Sequence, residues 1–407
     1  MSGLLVQRYD GIFVDLDGVV YRGDEPIQDV GSVLDKVRGT GARLLFLTNN
    51  SSRTPEDVAA HLERMGVHAD PGEILTSAVA TAVMLEREGA QGRTAFVIGE
   101  RGIRNALQDI GVQVLDGDPD SADMVVIGFD RSADYSKLRT ASLLVQRGAR
   151  LVATNADGSY PAPNGLWPGA GALLSAVVTT TGAAPMIVGK PSRPLFEAAV
   201  QLTAARRPLV VGDRLDTDIA GADAMGWDAV LVFTGASMPA DLLRSDVLPT
   251  YVGQDISVLL DDRPALRFRD ATDGDLEPIV RLLERAGLHS DGAEARLAST
   301  VVGVEDASIG ATAAVEGLDS SGLLRSVVVR PDLQRKGAGA LVVASAIRQA
   351  RERGVEQVAL FTESARSFFA RLGFREVGRG ALPPAVQASA QAAGECPQSA
   401  VAMVLDL

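Results

Sequence analysis

The sequence predicts an α/β protein: a Rossmann-like core with an inserted α/β cap, followed by a smaller α+β domain. Three observations lead there. Apolar runs of strand length alternate with segments of helical spacing through about residue 260. These runs are continuous rather than alternating, as in parallel strands buried on both faces. Beyond the charged, proline-containing stretch 261–264 the pattern changes to longer alternating strands.

Taken in order, strands are expected at 11–14, 44–47, 95–98, 124–127, 151–153, 186–188, 209–211 and 229–233, with helices at 55–65 and 192–203 among the segments between them. The second region should open with a strand at 266–269 and an amphipathic helix at 275–286. Strands at 300–304, 307–315 and 323–329 follow, then a helix at 337–354. The predicted division is a core of 1–74 and 186–262, a cap of 75–185 and a C-terminal domain of 264–407. With 407 residues, 46% hydrophobic and only 4% aromatic, the chain has material for two or three aliphatic cores.

Composition excludes several functions. The net charge is −13, and the surplus sits in residues 1–263, with 34 acids against 23 bases; residues 264–407 carry 18 and 16. That balance argues against nucleic-acid binding. No apolar run reaches the length of a membrane span, and the first ten residues lack a signal-peptide core, so a cytoplasmic protein is expected. The single cysteine, Cys396, cannot form an internal disulfide and reads as a packed small side chain. Three histidines (His61, His68, His289) leave little material for a zinc site or a Ser-His-Asp triad. Lysine is scarce, with Lys36, Lys137, Lys190 and Lys336 the only four.

The sharpest chemical signal is Phe13-Val14-Asp15-Leu16-Asp17-Gly18-Val19. An apolar strand runs into two carboxylates two residues apart, which places both on one face of the strand end. Open α/β sheets bind ligands there, and Gly18 permits a sharp turn. The stretch Leu209-Val210-Val211-Gly212-Asp213-Arg214-Leu215-Asp216-Thr217-Asp218 repeats the design. Asp216 and Thr217 are also plausible helix N-caps. Converging carboxylates without cysteine or histidine suit a hard cation such as Mg²⁺. A third strand ends in Thr48-Asn49-Asn50-Ser51-Ser52, whose hydroxyls and amides suit phosphoryl oxygens, while Ser51 to Thr54 also form a possible helix cap before Pro55. Gly189-Lys190-Pro191 puts a scarce lysine at another strand end, where its charge would offset aspartate plus phosphate.

In this order the four segments resemble the haloacid dehalogenase-like phosphatases, over about residues 10–262. The resemblance implies an aspartyl-phosphate mechanism in which Asp15 is the nucleophile and Asp17 the general acid and base. It implies that Thr48, Asn49 and Lys190 hold the phosphoryl group. It also implies Mg²⁺ held by Asp15, the Asp17 carbonyl and Asp213, with Asp218 in the outer shell; Asp216 is left without a role. The long separation of Thr48 from Lys190 accommodates a cap of the class IIA type. There, Thr154-Asn155-Ala156-Asp157 and Pro168-Gly169-Ala170-Gly171 resemble the substrate-facing loop, although the family usually has proline where Ala156 stands. Asn50, Asn155, Asp157 and Gly169 are the expected substrate contacts, and the partner is a small phosphorylated metabolite. A homodimer is compatible with the sequence.

In the second domain, Val327-Val328-Val329 leads into Gln334-Arg335-Lys336-Gly337-Ala338-Gly339 at a helix start, and Phe368-Phe369-Ala370-Arg371-Leu372-Gly373-Phe374 follows. A glycine-rich loop at a helix N-terminus can cradle a pyrophosphate. Together these resemble the Gcn5-related N-acetyltransferases, which implies acetyl-CoA or CoA along Val329 with its pyrophosphate on Gln334 to Gly339. Phe369 stands where many members carry a tyrosine general acid. Acetyl transfer, or a ligand-sensing, scaffolding or dimerising role, therefore both stand. The fusion as a whole resembles a group of actinobacterial phosphatases, which implies hydrolysis of glycerol 3-phosphate in glycerophospholipid head-group recycling. Pyridoxal phosphate, phosphoglycolate or a nucleotide are alternative substrates, and CoA-dependent N-acetylation is an alternative of another class.

Overall fold

The computed structural model describes residues 3–162, 164–263, 265–389, 397 and 399–407. Cys396, Pro264 and the end of the Ala/Gln-rich stretch 385–393 lie outside them. The chain forms two compact units, Met1–Gly235 with Gln254–Asp261, and Ala236–Gly253 with Asp262–Leu407. Among the described residues no helix is long and apolar enough to cross a membrane.

The first unit holds two parallel sheets. Its elements begin with β1 (Gly11–Asp15), α1 (Val30–Arg38), β2 (Arg43–Thr48), α2 (Pro55–Arg64), β3 (Ile74–Thr76) and α3 (Ser77–Arg87). The cap continues with β4 (Thr94–Ile98), α4 (Arg101–Asp109), β5 (Gln113–Leu115), β6 (Met124–Ile127), α5 (Tyr135–Gln146) and β7 (Arg150–Ala153). A hairpin of β8 (Ser159–Ala162) and β9 (Gly165–Pro168) leads to α6 (Ala170–Thr181) and β10 (Met186–Ile187). The chain returns through α7 (Arg193–Thr203), β11 (Pro208–Gly212), α8 (Ala220–Met225) and β12 (Asp228–Val232).

The core strands run parallel in the order β12-β11-β1-β2-β3. β1 and β11 are buried at every residue, as continuous apolar runs require. The cap sheet is also parallel, in the order β10-β7-β6-β4-β5. Phe96, Ile98, Val125, Ile127, Leu151 and Leu174 pack its core. The sheets move both cap boundaries by a few residues. Ile74–Thr76 pairs with β2, so it belongs to the core. Met186–Ile187 pairs with Val152–Ala153, so it belongs to the cap. A two-residue strand carries no pattern that identifies its partner.

The second unit is one mixed sheet. Its elements are β13 (Arg267–Asp270), α9 (Leu276–Arg285), β14 (Thr300–Glu305), β15 (Ser308–Leu318), β16 (Ser321–Val329) and α10 (Ala338–Glu352). β17 (Gln357–Thr362), α11 (Arg366–Arg371), β18 (Arg375–Val377) and β19 (Val401–Asp406) complete it. The strand order is β13-β14-β15-β16-β17-β19-β18. β16 and β17 are parallel and pair only over Ser321–Leu323 with Gln357–Ala359. The segment 236–253 also belongs to this unit. It packs Ala240 beside Gly373 and ties Ser245 and Asp246 to Arg351.

Candidate active site

Three core strands deliver polar residues to one edge of the sheet. β1 ends in Asp15, β2 in Thr48, and β11 in Gly212 directly before Asp213. In register, Val14 lies beside both Phe46 and Val211. Lys190 arrives from the cap side, between β10 and α7.

These residues form a buried charge cluster. Asp15, Asp213 and Asp218 each offer a carboxylate oxygen within 4.8 Å of the others. The Lys190 ammonium, 4% exposed, donates to Asp15 Oδ1 at 2.5 Å and to Asp218 Oδ1 at 2.7 Å. Asp218 Oδ2 also accepts from the Arg214 amide and the Thr217 hydroxyl. Burial pushes the Asp15 carboxyl well above its ordinary range; Lys190 pulls it back, and Asp218 and Asp213 push it up again. Burial alone would lower the Lys190 pKa, but Asp15 and Asp218 overcome that and hold it above the usual ammonium value. The ammonium is therefore charged. One cation among Asp15, Asp17, Asp213 and Asp218 leaves an excess of negative charge. An all-oxygen donor set with that excess fits a small divalent cation.

Close packing holds Asp213. A Cβ on Gly235 would sit 1.9 Å from Asp213 Oδ2, and one on Gly18, whose φ is +84°, would sit 2.4 Å away. The Thr234 hydroxyl donates to the Gly18 carbonyl at 2.6 Å, tying the two glycine segments together. Thr234 and Gly235 follow β12 and carry no sequence signal beyond that position. Asp17 sits beyond Asp15 with its surface open to water. Protein crowded around it pushes its carboxyl up to about 6, with Lys190 and Arg53 opposing and Asp213 adding. A carboxyl in that range can carry a proton to a leaving group near neutral pH.

The asparagines do something the sequence did not predict. The Asn49 side chain donates to Asp157 Oδ2 and to the Lys190 carbonyl, both at 3.1 Å, and accepts from the Lys190 amide at 2.8 Å. Asn155 donates to the Asn49 carbonyl at 2.7 Å and accepts from the Asp157 amide at 3.0 Å. Asn50 closes a turn by accepting from the amide and hydroxyl of Ser52. The side chains of Asn49 and Asn155 thus brace the core loop, the cap loop and Lys190 against one another, whereas Asn50 bonds only within its own loop. Asp157 keeps a half-buried place beside them; burial raises its pKa, opposed by the Asn49 hydrogen bond and by Arg214 and Lys190. Gly169 lies against it, since a Cβ there would be 2.3 Å from the Asp157 carbonyl. Thr48 is buried and accepts from the Asn50 amide at 3.1 Å.

Within the expected cap cluster 51–54, Thr54 caps α2, in a reciprocal box with Asp57. Ser51 instead accepts from the Phe129 amide in the cap at 3.1 Å. Neither Asp216 nor Thr217 is an N-cap. Leu215–Ile219 forms one π-helical turn entered from Arg214. Asp216 points to solvent in a two-pronged pair with Arg214, apart from the metal-type cluster.

Sequence reasoning also missed Arg53. A cavity of about 520 Å³ opens beside Ser52 and Arg53, walled by Phe129 and by Tyr160 and Trp167 of the cap hairpin. Tyr160 and Trp167 are directly opposite across β8 and β9, and the Tyr160 ring lies 4.6 Å from that of Phe129.

In the second unit the glycine-rich loop precedes α10. Gln334 donates to the Val329 carbonyl at 3.0 Å, and Gly337 stands at the N-cap with φ +90°. A Cβ on Gly337 would meet Val252 Cγ2 at 2.4 Å. Arg335 also has a positive φ, and Lys336 lies 3.8 Å from Asp262. Ala338 is buried, and a Cβ on Gly339 would touch the Phe368 ring. Phe369 is core, with ring centroids 5.0 Å from Phe368 and 5.6 Å from Phe374.

Comparison with known proteins places these features. Residues 12–113 match the haloacid dehalogenase-like hydrolase model, 187–259 a second model of that hydrolase type, and 297–376 the acetyltransferase (GNAT) domain. The chain is 37% identical over 264 residues to D-glycerol 3-phosphate phosphatase of Mycobacterium tuberculosis, covering 64% of this chain and 74% of that protein. It is 36% identical over 259 residues to acid sugar phosphatase of Staphylococcus haemolyticus, covering 63% and 97%. The crystal structure of the M. tuberculosis glycerol phosphate phosphatase in complex with magnesium superposes with a TM-score of 0.72 at 30% identity, covering 91% of this chain and 99% of that one.

Proposed function

Since the chain belongs to the haloacid dehalogenase-like hydrolases and carries an acetyltransferase (GNAT) domain in its C-terminal part, we propose that this phosphatase hydrolyses glycerol 3-phosphate to glycerol and phosphate. The observation that carries the chemistry is the buried cluster of Asp15, Lys190, Asp213 and Asp218 at the strand ends. Its oxygens fit Mg²⁺, which Asp15, Asp213 and the Asp17 carbonyl would hold, with Asp218 in the outer shell. When bound, the ion supplies charge neutralisation for the phosphoryl oxygens.

The chain's own residues do the rest. An Asp15 oxygen attacks phosphorus while the bond to the leaving alkoxide breaks, and Asp17 gives that alkoxide its proton. Asp17, now a carboxylate, takes a proton from a water that attacks the phosphorus of the aspartyl phosphate. Inorganic phosphate leaves and Asp15 is restored. Lys190 fixes Asp15 and offsets charge on the phosphoryl group in flight, where positioning and electrostatics dominate. Asn49 holds Lys190 and Asp157 in place.

The test is phosphate release with Mg²⁺ across a panel of phosphomonoesters that includes both glycerol phosphate isomers, pyridoxal phosphate, phosphoglycolate and a nucleotide. A kcat/KM for glycerol 3-phosphate about tenfold above the rest supports the substrate. A different winner discards it and keeps the chemistry. Asp15→Asn should abolish release from every substrate. For the GNAT domain, the packing of Phe369 favours a ligand-binding or scaffolding role over acetyl transfer through a phenol. CoA calorimetry on the intact chain, with Gly337→Glu as control, tests binding at that loop.

A further inference from the structure

Two of the three groups that would hold the metal are set in place by one short hairpin. Tyr21–Arg22 pairs with Glu25–Pro26 shortly after the strand end that carries Asp15 and Asp17. The Gly18 amide donates to the Tyr21 carbonyl at 2.7 Å. That amide shares a planar peptide with the Asp17 carbonyl, so the hairpin fixes the orientation of the carbonyl too. The neighbouring side chain reaches further. Arg22 donates through Nε to the Thr234 carbonyl. Thr234 is buried, and its hydroxyl donates to the Gly18 carbonyl. The Asp213 carboxylate is wedged between Gly18 and Gly235, which themselves approach so closely that a Cβ on Gly18 would meet the Gly235 Cα at 2.9 Å. Gly235 is also the last residue of the first unit before the chain leaves it for 236–253. Its position against Asp213 is therefore set at the end of a segment, where Thr234 and its partners fasten it.

The plain reading of Arg22 is an exposed arginine that covers a stray carbonyl at a strand end. That reading does not explain its choice of partner. Its own hairpin offers Asp24 and Glu25, yet Arg22 has no ion-pair partner among the described residues and spends its guanidinium on a neutral carbonyl. The carbonyl it holds belongs to the peptide that joins Thr234 to Gly235, the residue whose place Asp213 depends on. A guanidinium is a rigid, permanently charged donor, so it can fasten that peptide from a surface position. Resting on the phosphatase reading above, we propose that Arg22 is a positioning residue for the metal site. It clamps the Thr234-Gly235 segment onto the Gly18 turn and so holds the Asp213 carboxylate ready for the cation. It touches neither substrate nor metal; partners of this kind act by fixing the direction of the groups that do.

Mg²⁺ binding to the full-length, metal-stripped chain, followed by calorimetry, reads this without turnover. Arg22→Gln should weaken Mg²⁺ binding by about tenfold. In the assay the loss should appear in the Mg²⁺ concentration required, with a smaller fall in kcat at saturating Mg²⁺. Arg22→Lys, which keeps a donor for the carbonyl, should recover part of the affinity. Thr234→Val opens the same clasp at the hydroxyl, so the double variant should lose less than the two single losses combined. An arginine that only supports the fold would lower the melting temperature of the metal-free chain and leave the Mg²⁺ affinity of the folded protein alone. An affinity for Arg22→Gln within about twofold of wild type, against the loss expected of such a partner, overturns the assignment. Full additivity with Thr234→Val overturns it too. A wild-type chain that takes up no Mg²⁺ and releases no phosphate would instead remove the phosphatase reading, and this proposal with it.

Discussion

Lys190 is the position where the structure makes the largest quantitative demand. Its ammonium is 4% exposed and contacts side chains that are 11% and 1% exposed, Asp15 and Asp218. Lys190→Met keeps the stem and removes the charge, leaving two buried carboxylates facing Asp213. Breaking a buried pair by deleting one partner costs about 3–5 kcal/mol. The upper part of that range applies because one ammonium serves two carboxylates. At roughly 2–4 °C per kcal/mol for a unit of this size, the melt should fall by roughly 10 °C. Both tryptophans, Trp167 and Trp227, lie in the first unit, so fluorescence follows that unit without the other. The pH dependence has a definite sign. With Lys190 gone, the opposing charge is lost and burial holds the Asp15 carboxyl still further above its unfolded value. It binds a proton more tightly when folded, so the variant gains stability as pH falls from 8 towards 5 and its deficit narrows. The wild-type lysine contribution is flat over that range, because its raised pKa lies far above it. Millimolar Mg²⁺ should stabilise the variant more than the wild type by neutralising the exposed deficit. A loss below about 1 kcal/mol, against the range for a broken buried pair, together with no enlarged response to Mg²⁺, would refute the electrostatic account of this cluster.

Other outcomes follow from single contacts. Asp17→Asn should cut turnover of alkyl phosphates by roughly 10²–10⁴-fold. The loss should be clearly smaller on p-nitrophenyl phosphate, whose leaving group needs no proton; equal losses would take the acid role from Asp17. Gly235→Ala puts a methyl where Asp213 Oδ2 now lies, 1.9 Å from the added carbon. It should raise the Mg²⁺ concentration for half-maximal activity at least about tenfold, through the displaced carboxylate; an unchanged Mg²⁺ titration would count against that contact. In the second unit, Phe369→Ala removes a buried ring packed between two others and should cost about 3–5 kcal/mol. Hydrogen exchange of α10 and β19 would report it, and unchanged protection would place Phe369 outside the core.

The parts legible in the sequence were those set by residue type at a strand end. Asp15, Thr48, Lys190 and Asp213 each follow an apolar run, and a parallel sheet brings such ends together whatever the loops do. What was not legible depends on which atoms are spent on one another. The amides of Asn49 and Asn155 looked like ligand contacts, yet they join segments far apart in sequence and hold the cap loop to Lys190. Thr234 acts through a hydrogen bond to Gly18, 216 positions away, and Gly235 through close approach to the Asp213 side chain, neither of which a local pattern records. Met186–Ile187 reads as a core strand because Lys190 follows it, but its hydrogen bonds go to the cap. Asp216 and Thr217 had the composition of a helix cap; the turn there is π-helical and uses Asp218 instead. Arg53 had no signal except its loop, because what distinguishes it is the absence of an ion-pair partner among the described residues.

The central claim is that Asp15 carries the phosphoryl group during turnover. The direct measurement is an acid quench of the Mg²⁺-loaded protein during hydrolysis of glycerol 3-phosphate labelled with ³²P. The denatured chain should retain label as an acyl phosphate that hydroxylamine releases, and Asp15→Asn should retain none. Phosphate release without any covalent label, or label that survives Asp15→Asn, would contradict the account.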